Sequence, residues 1–376
     1  MRNVISIGYG RHLFEPGNNE RTRLVSCAEA VDKFDLIIFS KRSHSLNMEV
    51  VSEHLTLHPT NSKYSFLYLI DAFLIARTLV KQSKRRVVVT TQDPFETALV
   101  GLILKALYRP VLIIQEHGDF FGSPHWRRES FLNKVRYVFG LFALKCADKV
   151  RVVSKRTKQQ FEKRGIKNVT ILPVAVDAQP FLTAQEDNQI KSIFGPDTFV
   201  FLSVARFVRQ KNFPLLLRSF ASAYKQTPAI RLLLVGKGEE ENNLRSLISE
   251  FSHEVQAAIH ILPWSDNVAG LMKASSAYVL SSNYEGWGRV LIEALLAKLP
   301  IVTTDVGCAH EVINNEEQGL VVPVGDVDAL TKALVRLSTD AALYNHTKEK
   351  LTVVSGIPGS DINRYKEQWA QVFAVE

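Results

Sequence analysis

The sequence predicts an α/β protein built from two doubly wound parallel-sheet domains, and three observations carry that expectation. Short apolar runs rich in β-branched residues alternate with stretches of helical apolar spacing through both halves of the chain, the pattern of a parallel sheet with helices on both faces. The length, 376 residues, exceeds what one hydrophobic core usually serves. Between the two alternating regions, residues 178–197 are polar and irregular in their middle (AQEDNQ), which places a linker there. The expected domains are residues 1–180 and 195–355, followed by a helical tail over 361–376 with Trp369 and Phe373 on its apolar side.

The first half opens with a strand at Asn3–Gly8. Gly8-Tyr9-Gly10 follows it, but no third glycine comes three residues on, so the turn is not a dinucleotide fingerprint. EPGNNER (15–21) precedes a helical stretch, and DLIIFS (35–40) is the second strand. Residues 64–83 are helical, 86–91 (RVVVTT) a strand, 95–107 a helix and 111–115 (VLIIQ) a strand that runs into Glu116-His117-Gly118. Ligands of open α/β sheets sit at the carboxyl ends of strands, where Asp93 and His117 stand. Residues 125–149 form a basic amphipathic section, with Trp126, Phe131, Val135, Val138 and Phe142 among Arg127, Arg128, Lys134, Arg136 and Lys145. Such a section either lies on an anionic membrane or faces the core with a solvated basic rim. A strand over 149–154, a helix over 157–164 and a last strand over 169–174 complete the domain.

The second half begins with FVFLSV (199–204), followed by Arg206 and Lys211, two cations five residues apart and ahead of a helix over 213–224. Arginine offers a bidentate fork and lysine a point charge, a combination suited to a diphosphate. IRLLLV (230–235) leads into Gly236-Lys237-Gly238, and strands follow at 259–262 and near 278–280. Then comes SSNYEGWGRVLIEALLA (281–297): a strand end, a loop opened by Gly286 and Gly288, and a helix whose free amide N–H groups and macrodipole form a site for phosphate. Glu285 stands before that helix and Glu293, eight positions on, inside it. Their spacing suits the two ends of one ligand lying over the helix start. PIVTT (300–304), GLVVPV (319–324) and a helix over 327–338 end the domain.

Composition is that of a globular protein, 46% hydrophobic and 22% charged, and the most apolar run, 97–115, is broken by Lys105, Arg109 and Pro110, so no membrane-spanning helix is expected. Cys27, Cys146 and Cys308 form no C-x-x-C pair, which fits a reducing compartment rather than a disulfide framework. The net charge of +8 divides into +12 for residues 1–178 and −4 for the rest, pointing to an anionic partner for the first half. The N-terminus reads as a strand and carries no signal-peptide core, so a cytoplasmic setting is expected, with peripheral contact at the inner face of the membrane.

Glu285, Gly286, Gly288 and Glu293, set between two apolar strands, resemble the E-x7-E signature of retaining nucleotide-sugar glycosyltransferases of the GT-B fold, especially family 4. The resemblance implies two Rossmann-like domains facing a cleft, with the tail helix returning to the first. It implies donor binding by Glu293, Gly286, Gly288, Arg289, Val290 and Gly17, and catalytic roles for Arg206, Lys211, Glu285 and His117. Gly17 stands where relatives carry a double glycine, and a plain surface turn accounts for it equally well. Glu293 would hold the donor ribose, Glu285 the sugar hydroxyls, Arg206 and Lys211 the diphosphate, and His117 a donor hydroxyl. The substrates implied are a UDP- or GDP-linked sugar and a glycan or lipid-linked glycan acceptor, with no cofactor, no metal and no nucleic acid. Alternatives from other classes are a non-catalytic sugar-nucleotide-binding protein, a nucleic-acid binder and a nicotinamide-dependent sugar-nucleotide oxidoreductase.

Overall fold

The computed structural model describes residues 2–196, 198–353 and 355–374. The chain divides into two compact units, Met1–Pro173 with Ile362–Glu376, and Val174–Asp361. Each is a parallel sheet with helices on its faces, as the alternating pattern requires.

The sheet of the first unit comprises β1 (Asn3–Gly8), β2 (Lys33–Ile38), β3 (Glu49–Val50), β4 (Leu55–Pro59), β5 (Val87–Thr91), β6 (Val111–Glu116), β7 (Lys149–Val152) and β8 (Val169–Ile171), in the order β3-β4-β2-β1-β5-β6-β7-β8. All neighbours are parallel except β3 and β4. β3 and β4 are not expected from the sequence. One is two residues long and the other carries His58 and Pro59, too little for a periodicity signal. His58 Nε2 lies 2.7 Å from the buried Asp35 of β2, which gives that carboxylate a partner inside the sheet.

The expected helix over 361–376 is observed as Ile362–Phe373, and Val375 and Glu376 lie outside the described residues. It belongs to the first unit. Trp369 and Phe373 are buried against Phe34, with ring centroids 5.2 and 6.1 Å away. Lys149 Nζ donates to the carbonyls of Gln371 and Val372 at 3.0 and 2.8 Å, and Arg2 to that of Phe373. Two cations thus complete the carbonyl end of this helix, where the macrodipole favours positive charge.

In the second unit β9 (Phe199–Val204), β10 (Ile230–Val235), β11 (Ile259–Leu262), β12 (Ala277–Leu280), β13 (Ile301–Thr304) and β14 (Gly319–Val322) take the order β11-β10-β9-β12-β13-β14, all parallel. A single core of Phe201, Phe207, Phe213, Phe220, Leu232 and Leu334 joins this sheet to the helices Phe213–Gln226 and Val327–Thr339.

Two expectations are corrected here. Residues 178–197 are irregular in their middle, 184–188, as expected, but on either side they hold the short helices Gln179–Thr183 and Gln189–Phe194, while Asp197 lies outside the described residues. The polar run is anchored by two buried apolar side chains, Phe181 and Ile190, and by Asp187, whose N–H donates to the Gly270 carbonyl at 3.0 Å. The basic section 125–149 is two helices, Pro124–Glu129 and Phe131–Cys146, broken at the extended Ser130, whose Oγ caps the second. Trp126 is not part of an exposed face. It is buried and stacks on Phe95 at 5.2 Å.

Trp369→Ala removes the largest buried side chain of the returning helix. We expect a loss of about 3–5 kcal/mol, read by urea denaturation followed by far-ultraviolet circular dichroism.

Candidate functional site

A doubly wound sheet opens a crevice where successive connections leave in opposite directions. In the second unit β9 is followed by β10 on one side, while β12 pairs on the other. The loops after β9 (205–212) and β12 (281–288) therefore flank that point, and they carry five of the eight residues the sequence singles out in this unit.

Glu285 is the centre of this site. It is 7% exposed, and a buried carboxylate requires compensation. Its Oε1 accepts from Lys211 Nζ at 2.5 Å and from Ser282 Oγ at 2.7 Å. Its Oε2 receives only a long 3.4 Å bond from Gln210 Nε2 among the described residues. The same Gln210 amide donates to the Tyr284 carbonyl at 2.9 Å, and the Gln210 carbonyl accepts from Asn283 N at 2.8 Å. Asn212 Nδ2 donates to Asn283 Oδ1 at 2.9 Å while its own Oδ1 caps the helix Phe213–Gln226. Ser281 Oγ donates to the Lys211 carbonyl at 2.8 Å. The two loops are thus bonded to each other, and the carboxylate lies between them.

The loop then turns at Gly288 (φ 82°) into the helix Arg289–Leu296. Gly286 is buried, Val290 half-buried, and Arg289 exposed. Glu293 is nearly buried and pairs with Arg289 one turn earlier, Nε to Oε1 at 2.9 Å. Burial pushes its carboxyl above the usual range, against the pull of Arg289. Both carboxylates act on one group: burial first, then the charges of Glu293 and Glu285, push the Tyr278 phenol upward. Tyr278 OH donates to the Val204 carbonyl at the end of β9, which ties β12 to the neighbouring strand end. The turn after β13 supports the loop from behind. Thr304 Oγ1 donates to the Ser282 carbonyl at 2.8 Å and Cys308 N to the Trp287 carbonyl at 2.9 Å. Gly307 between them has φ 55°, and a Cβ there would lie 2.4 Å from the Trp287 carbonyl oxygen, so only glycine fits.

Arg206 follows β9 and is exposed; its carbonyl accepts from Val208 N at 3.0 Å, and its guanidinium makes no hydrogen bond or ion pair among the described residues. The second unit therefore holds Lys211, Glu285, Gly286 and Gly288 in two bonded loops, with Arg289, Val290 and Glu293 in the helix that follows and Arg206 exposed after β9. The sequence did not single out Gln210, Ser282 and Asn283. Their hydrogen-bonding side chains adjoin motif residues, but nothing in their spacing marks them.

His117 and Gly17 belong to the first unit. His117 follows β6. Arg151 Nη1 lies 3.2 Å from its Nε2, and burial, then that guanidinium, lower its value to about 3. The ring is a neutral imidazole. Arg151 is itself buried, and its described partners are Gln115 Oε1, the carbonyls of Leu172 and Pro173, His117 and Tyr365, with no carboxylate among them. Beside His117, burial and then Asp119 raise the fully buried Glu116 to about 8, while burial raises Asp119 to about 6. At the β1–β5 switch point, Gln92 Oε1 accepts from Tyr9 N at 3.1 Å, and burial raises Asp93 to about 6. Gly17 sits in an exposed turn with φ 82° and open space around its missing Cβ. The turn alone accounts for the glycine there.

Two family models match the chain: Glycosyltransferase Family 4 over residues 28–180 and Glycosyl transferases group 1 over residues 184–352. An uncharacterized glycosyltransferase of Methanocaldococcus jannaschii is 26% identical over 69% of this chain and 66% of its own length. The UDP-Gal:alpha-D-GlcNAc-diphosphoundecaprenol alpha-1,3-galactosyltransferase of Escherichia coli is 27% identical over 70% of this chain and 69% of its own. The chain thus spans about two thirds of the length of these relatives. Among solved structures, Anabaena HepE in complex with UDP-glucose superposes with a TM-score of 0.75 at 17% identity, covering 99% of both chains. Sucrose-phosphate synthase from Thermosynechococcus elongatus has a TM-score of 0.75 at 19% identity, covering 99% of this chain and 98% of its own. At these identities the superpositions show the shared fold.

Two outcomes are expected from this geometry. Lys211→Met leaves the Glu285 carboxylate buried without its cation and should cost about 3 kcal/mol or more. Lys211→Met with Glu285→Gln should recover a large part, measured by a double-mutant cycle of urea unfolding. Glu116 titrates near 8 in the folded chain against 4.5 ordinarily. Its stabilising contribution is therefore complete below pH 4.5 and lost as the pH rises through 8. Glu116→Gln should accordingly flatten the fall of melting temperature with rising pH over that window.

Proposed function

The chain belongs to the family 4 glycosyltransferases of the GT-B fold, and from that premise we propose that it is a retaining enzyme. It moves a sugar from a nucleoside-diphosphate donor to a glycan or lipid-linked glycan in polysaccharide biosynthesis. The observation that carries this reading is the Glu285 carboxylate, held by Lys211 and Ser282 through one oxygen and left with its other oxygen loosely bonded at the sheet's switch point. A carboxylate fixed in this way is an acceptor for the hydroxyls of a donor sugar. Glu293, one turn into the next helix, accepts from ribose hydroxyls and exchanges part of its Arg289 pairing for them.

The exposed Arg206 and the two ammonium protons of Lys211 not used by Glu285 face the developing negative charge of the leaving diphosphate. Fixed donors aimed at developing charge usually contribute the largest share of such catalysis. With that charge met by side-chain cations and by amides near Gly288–Val290, the reading needs no metal. The acceptor oxygen attacks the anomeric carbon on the face the diphosphate leaves, and the departing phosphate oxygen takes the acceptor's proton. In the first unit the neutral His117 ring offers one donor or acceptor to a sugar hydroxyl without adding charge. UDP is the favoured donor nucleotide, supported by the UDP-Gal named for the Escherichia coli relative and by the UDP-glucose in the HepE complex.

A thermal-shift panel of UDP, GDP, ADP and CMP tests the reading. A ligand at a hundred times its Kd adds about 2.7 kcal/mol of stability. UDP should raise the melting temperature of the wild type and do so far less for Glu293→Ala. Glu285→Gln should keep the UDP shift and lose donor turnover. If no nucleoside diphosphate shifts the wild type, the reading fails.

A further inference from the structure

We propose that the outward faces of three neighbouring helices of the first unit, Tyr68–Gln82, Glu96–Tyr108 and Phe131–Cys146, form a docking surface for an anionic lipid bilayer. Of the nineteen large apolar side chains exposed among the described residues, twelve lie between residues 64 and 142. They are not scattered. Ile70 and Leu74 are one turn apart, as are Leu99, Ile103 and Leu107, and Phe131, Val135, Val138 and Phe142 follow at helical spacing. Residues at such intervals share one helix face. The first helix packs on the second and the second on the third, so the three stripes adjoin. Phe66, in the turn before the first helix, extends the patch and is 74% exposed, while Phe131 is 79% and Val138 70% exposed.

Proteins in water rarely leave a contiguous apolar surface of this kind uncovered, so the occupant has to be identified, and charge identifies it. Residues 63–145 carry 13 Lys and Arg against 6 Asp and Glu. Of the six acids, Glu116 and Asp119 are buried, Asp93 caps the start of a helix and Glu96 is paired with Arg136, which leaves Asp71 and Glu129. Lys134 and Lys145 flank the Phe131–Phe142 stripe and are exposed, and Arg77 and Lys81 continue the Ile70–Leu74 stripe into charge. An apolar face with a cationic rim suits a bilayer that presents hydrocarbon beneath anionic headgroups. A second copy of the chain fits poorly, because it would bring the same positive excess against itself. The helices lie on the membrane rather than cross it: the longest has 16 residues, too short for the hydrocarbon core. No helix among the described residues is long and apolar enough to span.

This inference stands apart from the transfer reaction, and its test uses no nucleotide. Purified protein is sedimented with vesicles of phosphatidylglycerol and phosphatidylcholine, and with phosphatidylcholine alone, at low and high salt. The wild type should bind the anionic vesicles, and salt should weaken that binding. Phe131→Ser with Val138→Ser and Phe142→Ser should reduce it tenfold or more. Their side chains are exposed, so the melting temperature should be unchanged. Met48→Ser, which also removes an exposed apolar group but off this face, should bind as the wild type does. Lys134→Gln with Lys145→Gln should weaken binding and flatten its salt dependence. Three results would each overturn the proposal: no binding to anionic vesicles at low salt, undiminished binding by the triple serine variant, or a wild-type dimer in solution that the serine variant abolishes.

Discussion

A carboxylate cannot remain ionised inside a protein without a cation or several donors close by, and in the second unit that requirement shapes the site. Glu285 sits within the loop between β12 and the helix Arg289–Leu296. Its pairing with Lys211 draws the loop after β9 against the loop after β12. Ser282, Gln210 and the Asn212–Asn283 contact then follow as the remaining ways to bond two adjoining irregular segments. The turn around Gly307 closes the arrangement from β13, at a distance no side chain would tolerate. The loop conformation and the charge pair are one device, which leaves one carboxylate oxygen held and the other available.

The first unit handles charge in the opposite manner. Its buried cation, Arg151, is bonded to carbonyls, an amide and a neutral imidazole, and its buried acid, Glu116, is kept protonated. Low charge inside the sheet's carboxyl end contrasts with the excess of Lys and Arg outside. There the helices turn apolar side chains outward between basic ones. The positive balance of residues 1–178 thus belongs to the unit's surface, not to the interior of its strand ends. The negative balance of the remainder accompanies a site whose cations are few and individually placed.

Much of this was legible in the chain. Twelve of the fourteen strands among the described residues carry apolar runs that alternate with helical spacing, Ile230–Val235 and Ile301–Thr304 among them. The cluster from Glu285 to Glu293 showed itself because chemistry, glycine placement and helix start coincide within nine residues. The misses have physical causes. β3 is too short for any period. The helices at 179 and 189 each rest on a single buried apolar residue within a polar run. Trp126 reads as one more aromatic on a basic helix, and only the break at Ser130 turns it inward.

The sequence by itself determined the fold class, the two-part organisation and the residue types of the site, because these rest on local periodicity, on turn chemistry and on neighbours within one loop. Only the tertiary structure decided that Lys211 serves Glu285, separated from it by 74 residues, and that Arg151 neighbours His117. It also decided which apolar stripes on the outer helices face solvent. Each of these depends on which strand lies beside which, and strand order is a property of long-range packing that no stretch of the chain encodes alone.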